Sequence, residues 1–163
     1  MKSDNTYPNI EIQLLEPGAT PELVTMFNSA DSKYSKYFIP FNFEYKSVKT
    51  MLSQAVLDKY FGFYFKGTLI GFFMLRGLDA GYQIPSYGVW INPKYQRCGL
   101  GKLSLTYCLA LCNINNFPAL MLKVHPENIK AIHLYINTGF EKISMDKSNQ
   151  NIIMQKKIKT SDL

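Results

Sequence analysis

The chain has 163 residues, of which 47% are hydrophobic, 14% aromatic and 18% charged. That suits one compact domain over residues 1–163 and leaves little room for a second with its own core. No run of about 18 apolar residues occurs, and Met1 to Pro8 is polar rather than a basic-then-apolar leader, so a soluble cytoplasmic protein with no membrane partner is expected.

Three cysteines are too few for a disulfide scaffold. With His125 and His133 as the only imidazoles, no zinc site or other metal is expected. The net charge of +6 is mostly lysine, with Arg76 and Arg97 the only guanidinium groups, and it favours an anionic ligand. No zinc finger, ribonucleoprotein aromatic motif or long like-charged block points to nucleic acid.

Asn9 to Leu15 alternates apolar and polar side chains and is closed by Pro17-Gly18, which predicts a strand and a turn. Thr20, ahead of Pro21 and Glu22, starts a helix reaching about Ala30. Asp31 to Tyr45 carries Tyr34, Tyr37, Phe38, Phe41, Phe43 and Tyr45 with neither a helical nor a strand period. It is either a loop folded onto the core through its rings or the lining of a substrate pocket. A helix from Ser47 to Leu57 follows, then a hairpin of Tyr60 to Phe65 and Thr68 to Leu75 around Lys66-Gly67.

Gln83 to Asn92 reads as a strand with Tyr87, Val89 and Ile91 on one face. Gly99 to Asn113 is apolar at helical spacing, with Cys108 and Cys112 as buried small side chains. Pro118 to His125 is a strand, and Ile129 to Asn137 a helix ended by Gly139. Phe140 to Ser144 and Ile152 to Ile158 close the chain as paired strands, with lysines blunting the edge. The order describes a mixed sheet flanked by helices.

Gln96-Arg97-Cys98-Gly99-Leu100-Gly101 lies between a strand and an apolar helix, so backbone N–H groups at the helix start can converge on one anion. The glycines permit a tight turn and close approach, while Arg97 and Lys102 add charge. A Walker loop is excluded because Gly101-Lys102-Leu103 lacks the hydroxyl residue, and a dinucleotide fingerprint fits poorly.

At this point the sequence resembles the GNAT superfamily of N-acetyltransferases, whose acetyl-CoA signature is Q/R-x-x-G-x-G/A after a strand ending in an apolar-x-Pro pattern. Ile91 to Gly101 fits it throughout, and a second family segment appears at Asn128, Ala131, Tyr135, Gly139 and Phe140. The resemblance covers residues 60–145 firmly and the two ends more loosely. It implies an α/β (α+β) fold: a mixed, mostly antiparallel sheet of about six to seven strands with about four helices.

By the same resemblance the pyrophosphate of acetyl-CoA would sit on Gln96, Arg97, Cys98, Gly99, Leu100, Gly101 and Lys102, and the pantetheine arm would pair with the backbone around Val89 to Ile91. Asn128 would contact the pantetheine, a backbone N–H near Ile91 would polarise the thioester carbonyl, and Tyr135 would protonate the departing thiolate. Tyr135 also has a plain reading as a core aromatic.

The base is less clear, since Lys123 stands where some relatives have glutamate. His125, with an ordinary pKa near about 6.5, is the candidate, against a purely structural role; Tyr87, Glu127 or a water chain are alternatives. Cys98 is expected to contribute only its backbone, and His133 to face solvent. The implied reaction is acetyl transfer to a primary amine of a small molecule, such as an amino sugar, free or nucleotide-linked. The alternatives are a protein N-terminal or lysine acetyltransferase and a CoA-binding module without turnover. A homodimer through the last strands is common among such proteins.

Overall fold

The structure, a computed structural model, describes residues 9–38 and 40–159. The polar segment Met1 to Pro8 lies outside the described residues. Strands β1 (Ile10–Leu14), β2 (Lys59–Phe65), β3 (Thr68–Arg76), β4 (Ser86–Ile91), β5 (Ala119–Val124), β6 (Glu141–Met145) and β7 (Ile152–Lys157) form one sheet in the order β1-β2-β3-β4-β5-β7-β6. Neighbours are antiparallel except β4 and β5. The helices are α1 (Thr20–Asn28), α2 (Tyr45–Gln54), α3 (Leu100–Ile114) and α4 (Ile129–Asn137). This is the architecture the sequence predicts, with two boundaries displaced and one difference in placement: β7, which carries Lys156 and Lys157, lies inside the sheet between β5 and β6 rather than at an edge, because it pairs with both.

The strand pleat sorts side chains into two cores. Phe61, Phe73, Tyr87, Leu120, Leu122 and Val124 point toward α3 and α4. Tyr60, Phe72, Met74 and Trp90 point the other way, toward α1 and α2. A bulge in β3, where Phe63 pairs with Gly71 and Tyr64 with Leu69, lets Leu69 and Phe72 share a face despite their odd spacing.

The displaced boundaries have local causes. The second helix stops at Gln54 rather than Leu57 because the N–H groups of Val56, Leu57 and Asp58 go instead to the Asp79 carboxylate, at 2.8 to 3.1 Å. Asp58 returns the contact to the N–H groups of Leu78 and Asp79, at 2.8 and 3.2 Å. Here a partner more than 20 residues away in sequence overrides local helical spacing. β4 begins at Ser86 rather than Gln83, just past Pro85, which has no N–H to give a ladder.

The aromatic stretch resolves into a packed loop. Phe38, Phe41 and Phe43 close around Phe27 of α1 with ring centroids 4.2 to 6.2 Å apart, and Phe27 meets Phe72 and Trp90 edge-on at 5.6 and 5.2 Å. Arg76 pins the turn by donating to the Pro40 carbonyl at 3.2 Å. The phenylalanines therefore build core, and only the tyrosines of this stretch keep polar tips free for other work.

Phe27→Ala removes the ring on which this cluster converges and should destabilise the fold by about 3–5 kcal/mol. Urea denaturation checks it, read by fluorescence of Trp90, the only tryptophan in the chain and in edge contact with Phe27.

Candidate functional site

The parallel pair of β4 and β5 has only two rungs, Ser86 to Met121 and Tyr87 to Leu122. β4 then runs on to Ile91 and β5 to Val124 without pairing, so a notch opens between them. Both arms end at proline, β4 at Asn92-Pro93 and β5 at His125-Pro126, and neither proline can add a rung.

The Pro85 carbonyl accepts from Met121 N–H on the β5 side, and the Ile70 carbonyl accepts from Asn92 N–H on the β3 side, at 3.0 and 2.9 Å. Alternation between these two points turns the N–H and C=O groups of Val89 and Ile91 into the notch. Side chains alternate in the other sense, so Val89 and Ile91 face α3 and α4 while Trp90 faces α1 and α2. Gly88 leaves an opening at the vertex that the Met74 methyl covers; a Cβ there would lie only 2.3 Å from that carbon.

At the far end of β4 the chain turns through Pro93–Tyr95, capped by the Asn92 side chain accepting from Lys94 N–H at 3.0 Å. Gln96, Arg97, Cys98 and Gly99 are exposed. Arg97 and Gly99 have positive φ, 62° and 84°, so two left-handed residues bend the loop into the start of α3. The glycine is needed at 99 for that backbone. At Gly101 a Cβ would make ordinary contact with Leu134 at 3.7 Å, so the protein itself does not require glycine there. The first intrahelical bond runs from Leu103 N–H to the Gly99 carbonyl at 2.9 Å, leaving the N–H groups of Leu100, Gly101 and Lys102 free at the positive end of the helix dipole.

α4 packs Leu134 against Gly101 at this end. The Asn128 Oδ1 caps the helix by accepting from Ala131 N–H at 3.4 Å, so its Nδ2 donors stay available. Tyr135 is 7% exposed and packs edge-on against Tyr87 at 6.3 Å. Its hydroxyl has no hydrogen-bond partner among the described residues. Burial raises its phenol above the ordinary value. Tyr87, by contrast, is committed: its hydroxyl shares a 2.7 Å bond with Ser104 and lies 3.4 Å from the Gly101 carbonyl, tying β4 to α3.

His125 stands just past β5, its ring stacked on Tyr37 at 4.5 Å. Its Nδ1 accepts the Glu127 N–H at 3.2 Å. The ring is thus oriented by the Glu127 N–H on one edge and by Tyr37 on its face. Lys123, two residues back, reaches across β7 to Asp146 at 2.7 Å. Cys98 is exposed, with Sγ 3.5 Å from the Gln96 carbonyl. Cys108 and Cys112 are buried in the core, and His133 is exposed.

Within the aromatic stretch whose role the sequence leaves open, the segment from Tyr34 to Tyr37 crosses the notch on the face opposite α3. Tyr34 donates its hydroxyl hydrogen bond to the Ile91 carbonyl. Ser35 Oγ accepts from Trp90 Nε1 at 3.1 Å. Tyr37 donates to Glu127 at 2.9 Å. No sequence period announces this strap, because each bond joins residues 55 to 90 positions apart.

A family model described as acetyltransferase (GNAT) family matches residues 24–140. No curated protein matches the chain in sequence. Among solved structures, the ribosomal-protein-S18-alanine N-acetyltransferase of Escherichia coli superposes with a TM-score of 0.72 at 21% identity, covering 95% of this chain and 99% of its own. The PaiA N-acetyltransferase of Thermoplasma acidophilum, in complex with coenzyme A, gives 0.73 at 18%, covering 91% and 99%. The spermidine N-acetyltransferase of Vibrio cholerae, in complex with CoA and spermine, gives 0.74 at 18%, covering 93% and 96%. At these identities the likeness carries the fold and leaves the acceptor open.

The Lys123 to Asp146 pair makes a pH prediction. The Lys123 ammonium, then the Ser148 hydroxyl and N–H, hold the Asp146 carboxyl below its ordinary value. A carboxyl depressed on folding stabilises the fold above its unfolded pKa, about 4, and loses that contribution as pH falls. Asp146→Asn should therefore destabilise at neutral pH, with the difference from wild type shrinking below about pH 4; urea midpoints across that range check it.

Proposed function

The chain belongs to the acetyltransferase (GNAT) family, and we propose that it transfers the acetyl group of acetyl-CoA to a primary amine of a small molecule. The observation that carries this is the notch after Tyr87 and Leu122, with free backbone groups on one arm and a helix N-terminus at its end. Acetyl-CoA supplies the acetyl group as a thioester, whose carbonyl carbon an amine can attack.

The residues suit that cosubstrate. The free N–H groups of Leu100, Gly101 and Lys102, with the Arg97 and Lys102 charges, offer an anion seat for a pyrophosphate. The N–H and C=O groups of Val89 and the N–H of Ile91 offer an extended amide chain rungs that β5 does not take up, the Ile91 carbonyl being held by Tyr34, and Asn128 Nδ2 adds a donor from α4. Gln96 and Cys98 line the loop and contribute through its backbone.

If the anion seat is at the loop, Ile91 lies nearest it and Val89 nearest the vertex. The reacting end then belongs at Val89, whose N–H is the better oxyanion donor than the one near Ile91. Tyr135 stands by the same vertex, with a hydroxyl that none of the described residues occupies and a phenol that burial keeps protonated. It is the donor we assign to the departing thiolate. His125 orients the β5 arm, the acceptor enters on the α1 and α2 face, and the amine's proton passes there to solvent water. The strap from Tyr34 to Tyr37 narrows that face, which favours a compact amine over an extended peptide.

Acetyl-CoA binding by calorimetry and CoA release with a panel of amines test this reading; lack of binding overturns it. Tyr135→Phe should lower kcat by about 100-fold while leaving acetyl-CoA affinity within about twofold. Gly99→Val, which strains a positive-φ turn, should weaken that affinity by about tenfold or more.

A further inference from the structure

Where the strap meets the β5 arm, three side chains form a corner with a defined chemistry. The Tyr37 ring is held from behind by the His125 ring at 4.5 Å, and its hydroxyl donates to Glu127 Oε2 at 2.9 Å. Glu127 is tied in turn through its own N–H to His125 Nδ1 at 3.2 Å. The strap is anchored independently on β4, by Tyr34 on the Ile91 carbonyl and by Ser35 under Trp90. The corner is thus assembled from both arms of the notch, on the face opposite α3.

An aromatic face beside a carboxylate attracts an alkylammonium, through the ring quadrupole and through charge. That place already holds one. The Lys36 Nζ lies 4.4 Å from the Tyr37 ring centroid and 4.0 Å from Glu127 Oε2. Its side chain is 54% exposed and is next to Tyr37 in the chain, so it can swing out to solvent without disturbing the strap.

We propose that Tyr37 and Glu127 form a cation subsite for the acceptor, that Lys36 occupies it in the free protein, and that the acceptor carries a second cationic group besides its reacting amine. The inference deepens the transferase reading and rests on it for its purpose. A chain of net charge +6 repels cations at long range, so a corner built for one has a specific use. The reacting amine would point toward the vertex while the distal ammonium sits on Tyr37 and Glu127.

The test is calorimetric titration at low ionic strength of the full chain with cadaverine and with n-pentylamine, a diamine and a monoamine of the same length. Each titration is run with and without saturating CoA. The readout is the ratio of the two affinities, cadaverine over pentylamine. Replacing Lys36 by Met removes the internal competitor and should raise this ratio by about fivefold over wild type, while Glu127→Gln should bring it close to one. Both residues are exposed, and thermal melting verifies that each variant is folded.

A ratio that Lys36→Met leaves at the wild-type value, or that Glu127→Gln does not lower, overturns the subsite and leaves a surface ion pair only. Absence of CoA affinity would instead overturn the transferase reading, and the cofactor-free titrations keep the two failures apart.

Discussion

The organisation of this molecule depends on a ladder that stops. β4 and β5 are the one parallel pair in an otherwise antiparallel sheet, and they share two rungs before they part. In a closed sheet the N–H and C=O groups of Val89 and Ile91 would be consumed by β5. Here the Ile91 carbonyl is taken by the Tyr34 hydroxyl, and the Val89 N–H and C=O with the Ile91 N–H face an opening in the middle of the sheet, where unpaired backbone is costly unless water or a ligand meets it. The strands on either side are well paired, with β3 holding β4 from Arg76 to Gly71 and β7 holding β5 along its whole length. The notch therefore has rigid walls, which a site needs if it is to hold an extended chain in register.

Both ends of the notch are set by packing at a distance. At the vertex, Tyr87 is fixed by Ser104 of α3, and Tyr135 of α4 packs against it. At the mouth, the strap lies where it does because Phe38, Phe41 and Phe43 bury their rings around Phe27. Apolar burial of that kind has no direction of its own. The hydrogen bonds of Tyr34, Ser35 and Tyr37 turn it into a defined crossing. A loop without secondary-structure period thus becomes a fixed part of the site.

How much of this could be read beforehand follows from the range of each interaction. The strands, the helices and the loop from Gln96 to Gly101 rest on contacts within a few residues, and their periodicity and glycine placement are visible in the sequence. The end of α2 was misread because Asp79, outside any local window, claims its next N–H groups. For His125 residue type announces an imidazole, but which nitrogen is engaged depends on the turn formed by Pro126 and Glu127. The sequence leaves the strap open between core and pocket; its phenylalanines build core, and its tyrosines Tyr34 and Tyr37 bond to Ile91 and Glu127 on either side of the notch.

The distribution of charge along the notch follows the same division. At the α3 end stand Arg97, Lys102 and the free N–H groups of a helix start, all positive. At the strap end stands the carboxylate of Glu127, with Lys36 over Tyr37 beside it. Lys123, the cation that β5 itself would bring into the opening, is drawn across β7 by Asp146, whose carboxylate is held ionised by that contact. With Lys123 drawn away from the middle, the loop end carries Arg97 and Lys102 and the strap end the Glu127 carboxylate with Lys36 beside it. An anionic cosubstrate and a cationic acceptor approaching from opposite faces would each meet the complementary end, and neither would have to pass the other's charge to reach the vertex.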